Sequence, residues 1–368
     1  MKKRFLGVLL SVAMVAAVLV GCGSSGAKET AAPAGSETEA ASEAASGETE
    51  AAGNTGDVIT VGFSQVGAES DWRTANSESM KSTFSTENGY NLIFDDAQQK
   101  QENQIAAIRN FIQQEVDYIV LAPVTESGWD TVLQEAKDAE IPVIIVDRMV
   151  NVSDDSLYTA WVGSNFKLEG QKACEWLKQY AAAKNMSEVN IVDIQGTIGA
   201  SAQIGRTEAL NEAVEANGWN LLAQQTGEFT QAKGQEVMES MLKQYDNINV
   251  VYCENDNEAF GAIEAIKAAG KTVGPDGDIL VMSFDTTKQG ITDTLSGDII
   301  VNTECNPLHG PRVEQIIKQL QAGETPEKQA YVEEGIYAHG SDVASVSIDG
   351  TDYEVTEVTQ DVVDARAY

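Results

Sequence analysis

The chain has 368 residues and a formal net charge of −33, from 57 Asp and Glu against 24 Lys and Arg. So acidic a protein repels nucleic acid, and an anionic substrate would need local arginine clusters to enter it. Two His and four Cys leave little for a His-built metal centre or a disulfide framework.

Lys2, Lys3 and Arg4 open a leader whose apolar stretch, 5–20, is too short for a mature membrane span. The leader ends in Leu19-Val20-Gly21-Cys22, which resembles a bacterial lipobox. Cleavage there makes 1–21 a signal peptide and Cys22 a lipidated N-terminus; two or more acyl chains would give stable anchoring. The alternative is an ordinary secretory signal with a chance cysteine. Residues 22–56 are rich in Gly, Ala, Ser, Thr and Glu and hold no aromatic side chain. They cannot bury enough apolar area to offset ordering, so they read as an acidic, disordered tether. The leader carries +3 and the tether −5, which leaves −31 on residues 57–368.

Those 312 residues exceed the roughly 250–300 that one core holds, so two lobes are expected. Strands are predicted at 58–64, 90–95, 117–122, 142–147, 157–163, 189–195, 219–227, 249–253, 278–284, 299–304 and 331–337. Runs such as Ile119-Val120-Leu121 and Val143-Ile144-Ile145-Val146 do not alternate, as befits strands covered on both faces. Ile105, Ile108, Ile112 and Val116 repeat at helical spacing between them. Regular strand–helix alternation argues for an α/β fold of parallel sheets with right-handed crossovers. Breaks near 155–162, 302–306 and 329–338 divide the chain into discontinuous lobes. One comprises 57–160 plus 305–330, and the other 161–304 plus 331–368.

In open parallel sheets ligands bind beyond the carboxyl ends of the strands. Polar and charged residues gather there: Gln65, Glu69, Trp72 and Arg73 after the first strand, then Asp147 and Arg148, Arg206, Phe229, Asn255, Asp285 and Glu304. Three of only seven arginines, Arg73, Arg148 and Arg206, lie at these ends. Guanidinium offers a rigid fork of donors, and Asp147, Asp285 and Asn255 offer acceptors. Such a rim with an aromatic plane suits a neutral polyol, whose C–H faces are apolar and whose edge is hydroxyl. Plainer alternatives stand beside this reading. Asp147 and Arg148 form a local ion pair, or Trp72 packs in the first helical turn with Asp71 as N-cap. Phe229 is a core residue or a stacking one, Trp161 and Trp176 are core, and Cys253 and Cys305 are free or paired. Ala268-Ala269-Gly270-Lys271-Thr272 imitates a P-loop but closes a helix. No paired carboxylates stand out as acid and base, and no cofactor or metal is called for.

FSQVGAESDWR at 63–73, QQKQENQ at 98–104, AEIPVIIVDR at 139–148, QGTIGASAQIGR at 195–206, KGQEVMES at 233–240 and ENDNEAFGAIEAIKAAG at 254–270 resemble the sugar-binding proteins of ABC importers. The likeness is to the galactofuranose-binding branch of the ribose-binding-like, type I periplasmic binding proteins. It covers roughly 57–338. It implies two Rossmann-like, parallel-sheet lobes joined by three hinge strands, and a ligand held by Trp72, Arg73, Asp147 and Arg148 from one lobe. Arg206, Phe229, Asn255 and Asp285 would hold it from the other, with Glu304 at the hinge. Glu254, Gly205 and Thr286-Thr287 depart from the branch's pattern.

The resemblance implies an extracytoplasmic, lipid-anchored monomer on the outer face of the cytoplasmic membrane. It would capture a neutral monosaccharide, galactofuranose or a related aldose, and pass it to an importer permease. A sensory protein docking a membrane receptor is the alternative, and a sugar-acting enzyme a more distant one.

Overall fold

The computed structural model describes residues 58–368. The leader, Cys22 and the tether lie outside the described residues. The chain runs β1 (Ile59–Gln65), α1 (Asp71–Thr83), β2 (Tyr90–Asp96), α2 (Gln101–Gln113), β3 (Tyr118–Leu121), α3 (Asp130–Asp138), β4 (Val143–Val146) and β5 (Ala160–Gly163). There follow α4 (Phe166–Ala183), β6 (Asn190–Gln195), α5 (Ser201–Asn217), β7 (Asn220–Thr226), α6 (Gln231–Gln244), β8 (Val250–Cys253), α7 (Asp256–Ala268), β9 (Leu280–Asp285), α8 (Lys288–Ser296) and β10 (Val301–Glu304). It returns through α9 (Gly310–Gln321) and β11 (Gln329–Tyr331). It ends on β12 (Ile336–Ala338), β13 (Ser345–Ile348), β14 (Thr351–Glu357) and α10 (Gln360–Ala365).

Two sheets result. One has the order β11-β5-β4-β3-β1-β2, and the other β13-β14-β12-β10-β9-β8-β6-β7. The unalternating strands bury both faces. In the first sheet Val61, Phe63, Val120 and Ile144 pack with Met80 of α1 and with Val313 and Ile317 of α9. Ile119, Leu121, Val143 and Ile145 pack on the other face with Phe111, Trp129 and Leu133. The second sheet repeats the scheme: Tyr252, Met282 and Phe284 face Trp176, Leu177 and Leu210, while Val192, Val251 and Val281 face α6 and α7. Each fully buried Val, Ile or Phe contributes about 1.5–3 kcal/mol, enough to override weak local propensities. Trp161 and Trp176 are core, and Cys174, Cys253 and Cys305 are buried free thiols. Among the described residues no helix is long and apolar enough to cross a membrane.

The chain passes between the two sheets three times, after β5, after β10 and after β11. β5 starts at Ala160, not 157, and pairs with β4 through Val162 and with β11 through Gly163, so the first crossing begins at Ser164. The stretch 331–337 is not one strand. Tyr331 ends β11 in the first sheet, and Ile336 opens β12 in the second, antiparallel to β10. Between them lies the third crossing, which the other two grip. Glu334 Oε1 accepts from Ser164 Oγ at 2.6 Å and from Asn306 N at 2.8 Å, and Glu304 Oε2 accepts from Gly335 N at 2.9 Å. Two carboxylates thus tie all three crossings together. Glu169, Cys305 and Glu334 hold ligand atoms within 4.8 Å of one another, but Glu169 is committed to Arg206 and Glu334 to these ties. The hairpin β13–β14 adds strands that the sequence reading did not include; it turns at Asp349-Gly350, both at positive φ.

Candidate functional site

The C-terminal ends of both sheets face one narrow cavity of about 30 Å³. Glu69, Ser70, Trp72, Arg73, Asp147 and Arg148 line it from the first lobe. Phe166, Ala202, Arg206, Phe229, Asn255 and Asp285 line it from the second, with Cys305 at a crossing. The lobes touch around its rim. Asp71 N donates to Asn257 Oδ1 at 3.0 Å, Glu126 N to Gly199 O at 2.9 Å, and Met149 N to Ser201 Oγ at 2.9 Å.

On the first lobe the loop after β1 sets the arginine. Ser70, not Asp71, caps α1, accepting from Arg73 N at 3.1 Å. Asp71 is the first helical residue, and its N–H is spent across the cleft on Asn257. Trp72 is buried and donates from Nε1 to Cys305 O at 2.6 Å, which pins its indole to the hinge. Arg73 donates to Glu69 Oε1 at 3.0 Å and to Asp147 Oδ2 at 2.7 Å. Arg148 donates to Val124 O at 3.0 Å, lies 3.6 Å from Glu69, and stacks over Phe229 of the other lobe at 5.1 Å. The local Asp147–Arg148 pair is the looser one, at 4.0 Å.

On the second lobe Arg206 is clasped by Glu169 Oε2 at 2.8 Å and lies 3.6 Å from Asp285. Its Nη1 donates to the Glu254 carbonyl. Asn255 caps α7 by accepting from Glu258 N at 2.8 Å, and its amide donates to Phe229 O at 3.2 Å.

The charges shape one another. Burial pushes Asp147 up, but Arg73 and Arg148 outweigh it and hold the carboxyl below its usual range. Burial and the neighbouring Arg73 pull Arg148 down to about 10, against Glu69 and Asp147. Burial drives Asp285 well above its usual range, with Arg206 only partly opposing. Burial would also lower Arg206, yet Glu169 and Asp285 raise it. Three arginines line the cavity against three carboxyl groups, Glu69, Asp147 and Asp285. Several polar atoms there are unspent. Glu69 Oε2 is buried without a hydrogen bond, and the Asp285 carboxyl accepts none among the described residues, with Arg206 Nη2 at 3.6 Å.

Nine of the eleven ligand residues expected from sequence meet in this cavity; the exceptions are Gln65 and Glu304. Gln65 is buried behind the wall and bonds to Asn76 at 2.8 Å, Ser77 at 3.1 Å and Arg73 at 3.3 Å. Glu304 faces away, toward Arg366 at 2.7 Å and Tyr368 at 2.8 Å. It lies in register with Asp285, but Asp285 leaves strand geometry at φ 97° and turns its carboxylate inward. Ser70, Phe166, Ala202, Cys305 and the Arg206 partner Glu169 were missed. Phe166 was findable, because it too follows a strand end.

His309 supports Trp72 from behind, ring to ring at 5.9 Å, with Asn76 Nδ2 2.9 Å from its Nδ1. Burial, aided by Arg312 and Arg73 and opposed by Asp147, pulls its pKa down to about 4. The unfolded chain protonates first as pH falls, near 6.5. The stability from neutral His309 is therefore complete above pH 6.5 and is lost between there and pH 4. Two and a half units correspond to roughly 3 kcal/mol. Denaturant unfolding of wild type and His309→Gln should show a stability gap that shrinks by about that much from pH 7 to 4. A constant gap would contradict the buried neutral ring.

A model of the periplasmic binding protein domain matches residues 61–303. The galactofuranose-binding protein YtfQ of Escherichia coli K12 is 42% identical over 284 residues, covering 76% of this chain and 87% of that one. A Mycobacterium smegmatis protein in complex with β-D-fucofuranose is 43% identical, with a TM-score of 0.73 over 76% of this chain and 91% of that one. The binding component of the arabinose transporter of Shewanella sp. ANA-3, bound to α- and β-L-arabinofuranose, is 42% identical. Its TM-score is 0.71 over 76% of this chain and 92% of that one. These relatives bind sugars, and the chain shares their binding-protein domain. With its two mainly parallel α/β sheets and a cavity between them, the chain belongs to the periplasmic binding protein family, in the sugar-binding branch of the type I fold that serves ABC importers.

Proposed function

We propose that the protein captures a neutral aldose in its furanose form, galactofuranose or a close relative such as arabinofuranose, and delivers it to an importer permease. One observation carries this reading: a cavity between the lobes with three arginines against three carboxyl groups, where Glu69 Oε2 and Asp285 accept no hydrogen bond among the described residues. Charge-assisted hydrogen bonds are about twice as strong as neutral ones, so hydroxyls satisfy such a rim without bringing charge. The furanose ligands of the two structural relatives at 42–43% identity support the ring form. The ligand residues are Glu69, Trp72, Arg73, Asp147, Arg148, Arg206, Phe229, Asn255 and Asp285. The protein works as a monomer outside the cytoplasm, anchored through lipidated Cys22.

Calorimetry with D-galactose, L-arabinose and D-fucose should give one-to-one binding. Galactose 6-phosphate should not bind, because a phosphate dianion would unbalance the cavity. Tight binding of the phosphate would refute the neutral-ligand reading. Cys22→Ala should move the protein out of the membrane fraction, and unchanged retention would sink the anchor.

A further inference from the structure

We propose that Glu258, which does not line the cavity, positions the ring of Phe229, and that Gly196 leaves the room for it. Together they set the size of the sugar admitted. The inference rests on the sugar-binding reading above.

Phe229 sits in a strained loop. Glu228 and Phe229 both adopt left-handed backbone, at φ 57° and 60°, which residues with a Cβ rarely take up. Such strain persists only where the surroundings over-determine it, and it gathers at ligand clamps. Here the first turn of α7 does the holding. Glu258 Oε1 accepts from Phe229 N at 2.9 Å, and Asn255 Nδ2 donates to Phe229 O at 3.2 Å. Glu258 is fully buried, and its side chain is wedged against Gly227, where an added Cβ would stand 2.7 Å from Oε1. It has no freedom to follow the loop if the loop relaxes.

The ring is fixed from the opposite side by what Gly196 lacks. A Cβ on Gly196 would stand 1.9 Å from Phe229 Cζ. The backbone there is immobile, because Gly196 N donates to Glu254 Oε2 at 2.8 Å and Thr226 Oγ1 donates to Gly196 O at 2.6 Å. A side chain at 196 would therefore displace the ring and disturb its stacking with Arg148 at the cavity wall. The larger sugar should suffer more than the smaller.

The test is calorimetry with D-galactose and L-arabinose on wild type, Glu258→Gln, Glu258→Leu and Gly196→Ala, with circular dichroism melts and crystal structures of each. Leucine removes the acceptor for Phe229 N, and affinity for both sugars should fall at least tenfold. Glutamine restores an acceptor, and affinity should return to within about threefold of wild type. Gly196→Ala should raise the arabinose-over-galactose affinity ratio at least fivefold. Wild-type affinity in Glu258→Leu would overturn the proposal, as would a Glu258→Gln no better than Glu258→Leu, or an unchanged ratio in Gly196→Ala. Should Glu258→Leu fail to fold, Glu258→Gln and Gly196→Ala still decide it. A wild type that binds neither sugar would overturn the function proposed above; a Phe229 ring that stays in place in Glu258→Leu would separately overturn the positioning role.

Discussion

Arg206→Ala should lose both sugar binding and stability. The guanidinium is 2% exposed and is the cation for Glu169 and Asp285 at once. Removing one partner of a buried ion pair costs roughly 3–5 kcal/mol, because the other charge stays behind uncompensated. Each kcal/mol moves the melting midpoint of a protein this size by about 2–4 °C, so a fall of roughly 6–20 °C is expected. Sugar affinity should drop more than a hundredfold, since the donor is lost and its wall of the cavity relaxes. Calorimetry and a thermal melt check both. An unshifted melt would mean that the Glu169–Arg206–Asp285 cluster does not hold the second lobe's wall.

Arg148→Ala should behave differently. Arg148 already carries a penalty from burial and from Arg73, which is why its pKa falls to about 10. Arg73 remains to compensate Asp147 and Glu69. Stability should therefore change little. Binding should fall by about ten- to a hundredfold, the 1.5–3 kcal/mol of a charged hydrogen bond lost from a closed site. The pair of variants separates a structural arginine from one whose main duty is to the ligand. Equal destabilisation in both would contradict that division.

The strand ends were legible in the sequence because parallel strands must be apolar along their length and can be polar only where they stop. That rule places Arg73, Asp147, Arg206 and Asp285 on one side of two sheets without any knowledge of how the sheets sit. It fails where direction depends on one backbone angle. Glu304 and Asp285 end neighbouring strands in register, yet only Asp285 turns inward, at φ 97°. Gln65 fails for a related reason: it ends β1 in a position already filled by Asn76, Ser77 and Arg73. Pairing within a wall is set by three-dimensional distance, so Glu169, 37 positions from Arg206, left no mark in the local pattern. The split of 331–337 between two sheets was invisible because a hinge crossing has the same extended backbone as a strand. The β13–β14 hairpin was readable, since Asp349-Gly350 between alternating residues is a strong hairpin signal.

The central claim is that the sugar is held by groups from both lobes and therefore binds the closed form better. Arg148 over Phe229 and the three rim contacts all require the lobes to meet. A ligand shifts such an equilibrium only by its differential affinity for the two states. Small-angle scattering of the soluble Cys22→Ala protein, with and without saturating D-galactose or L-arabinose, tests this most directly. The radius of gyration should fall when sugar is bound. An unchanged radius with calorimetrically verified saturation would contradict closure around the ligand.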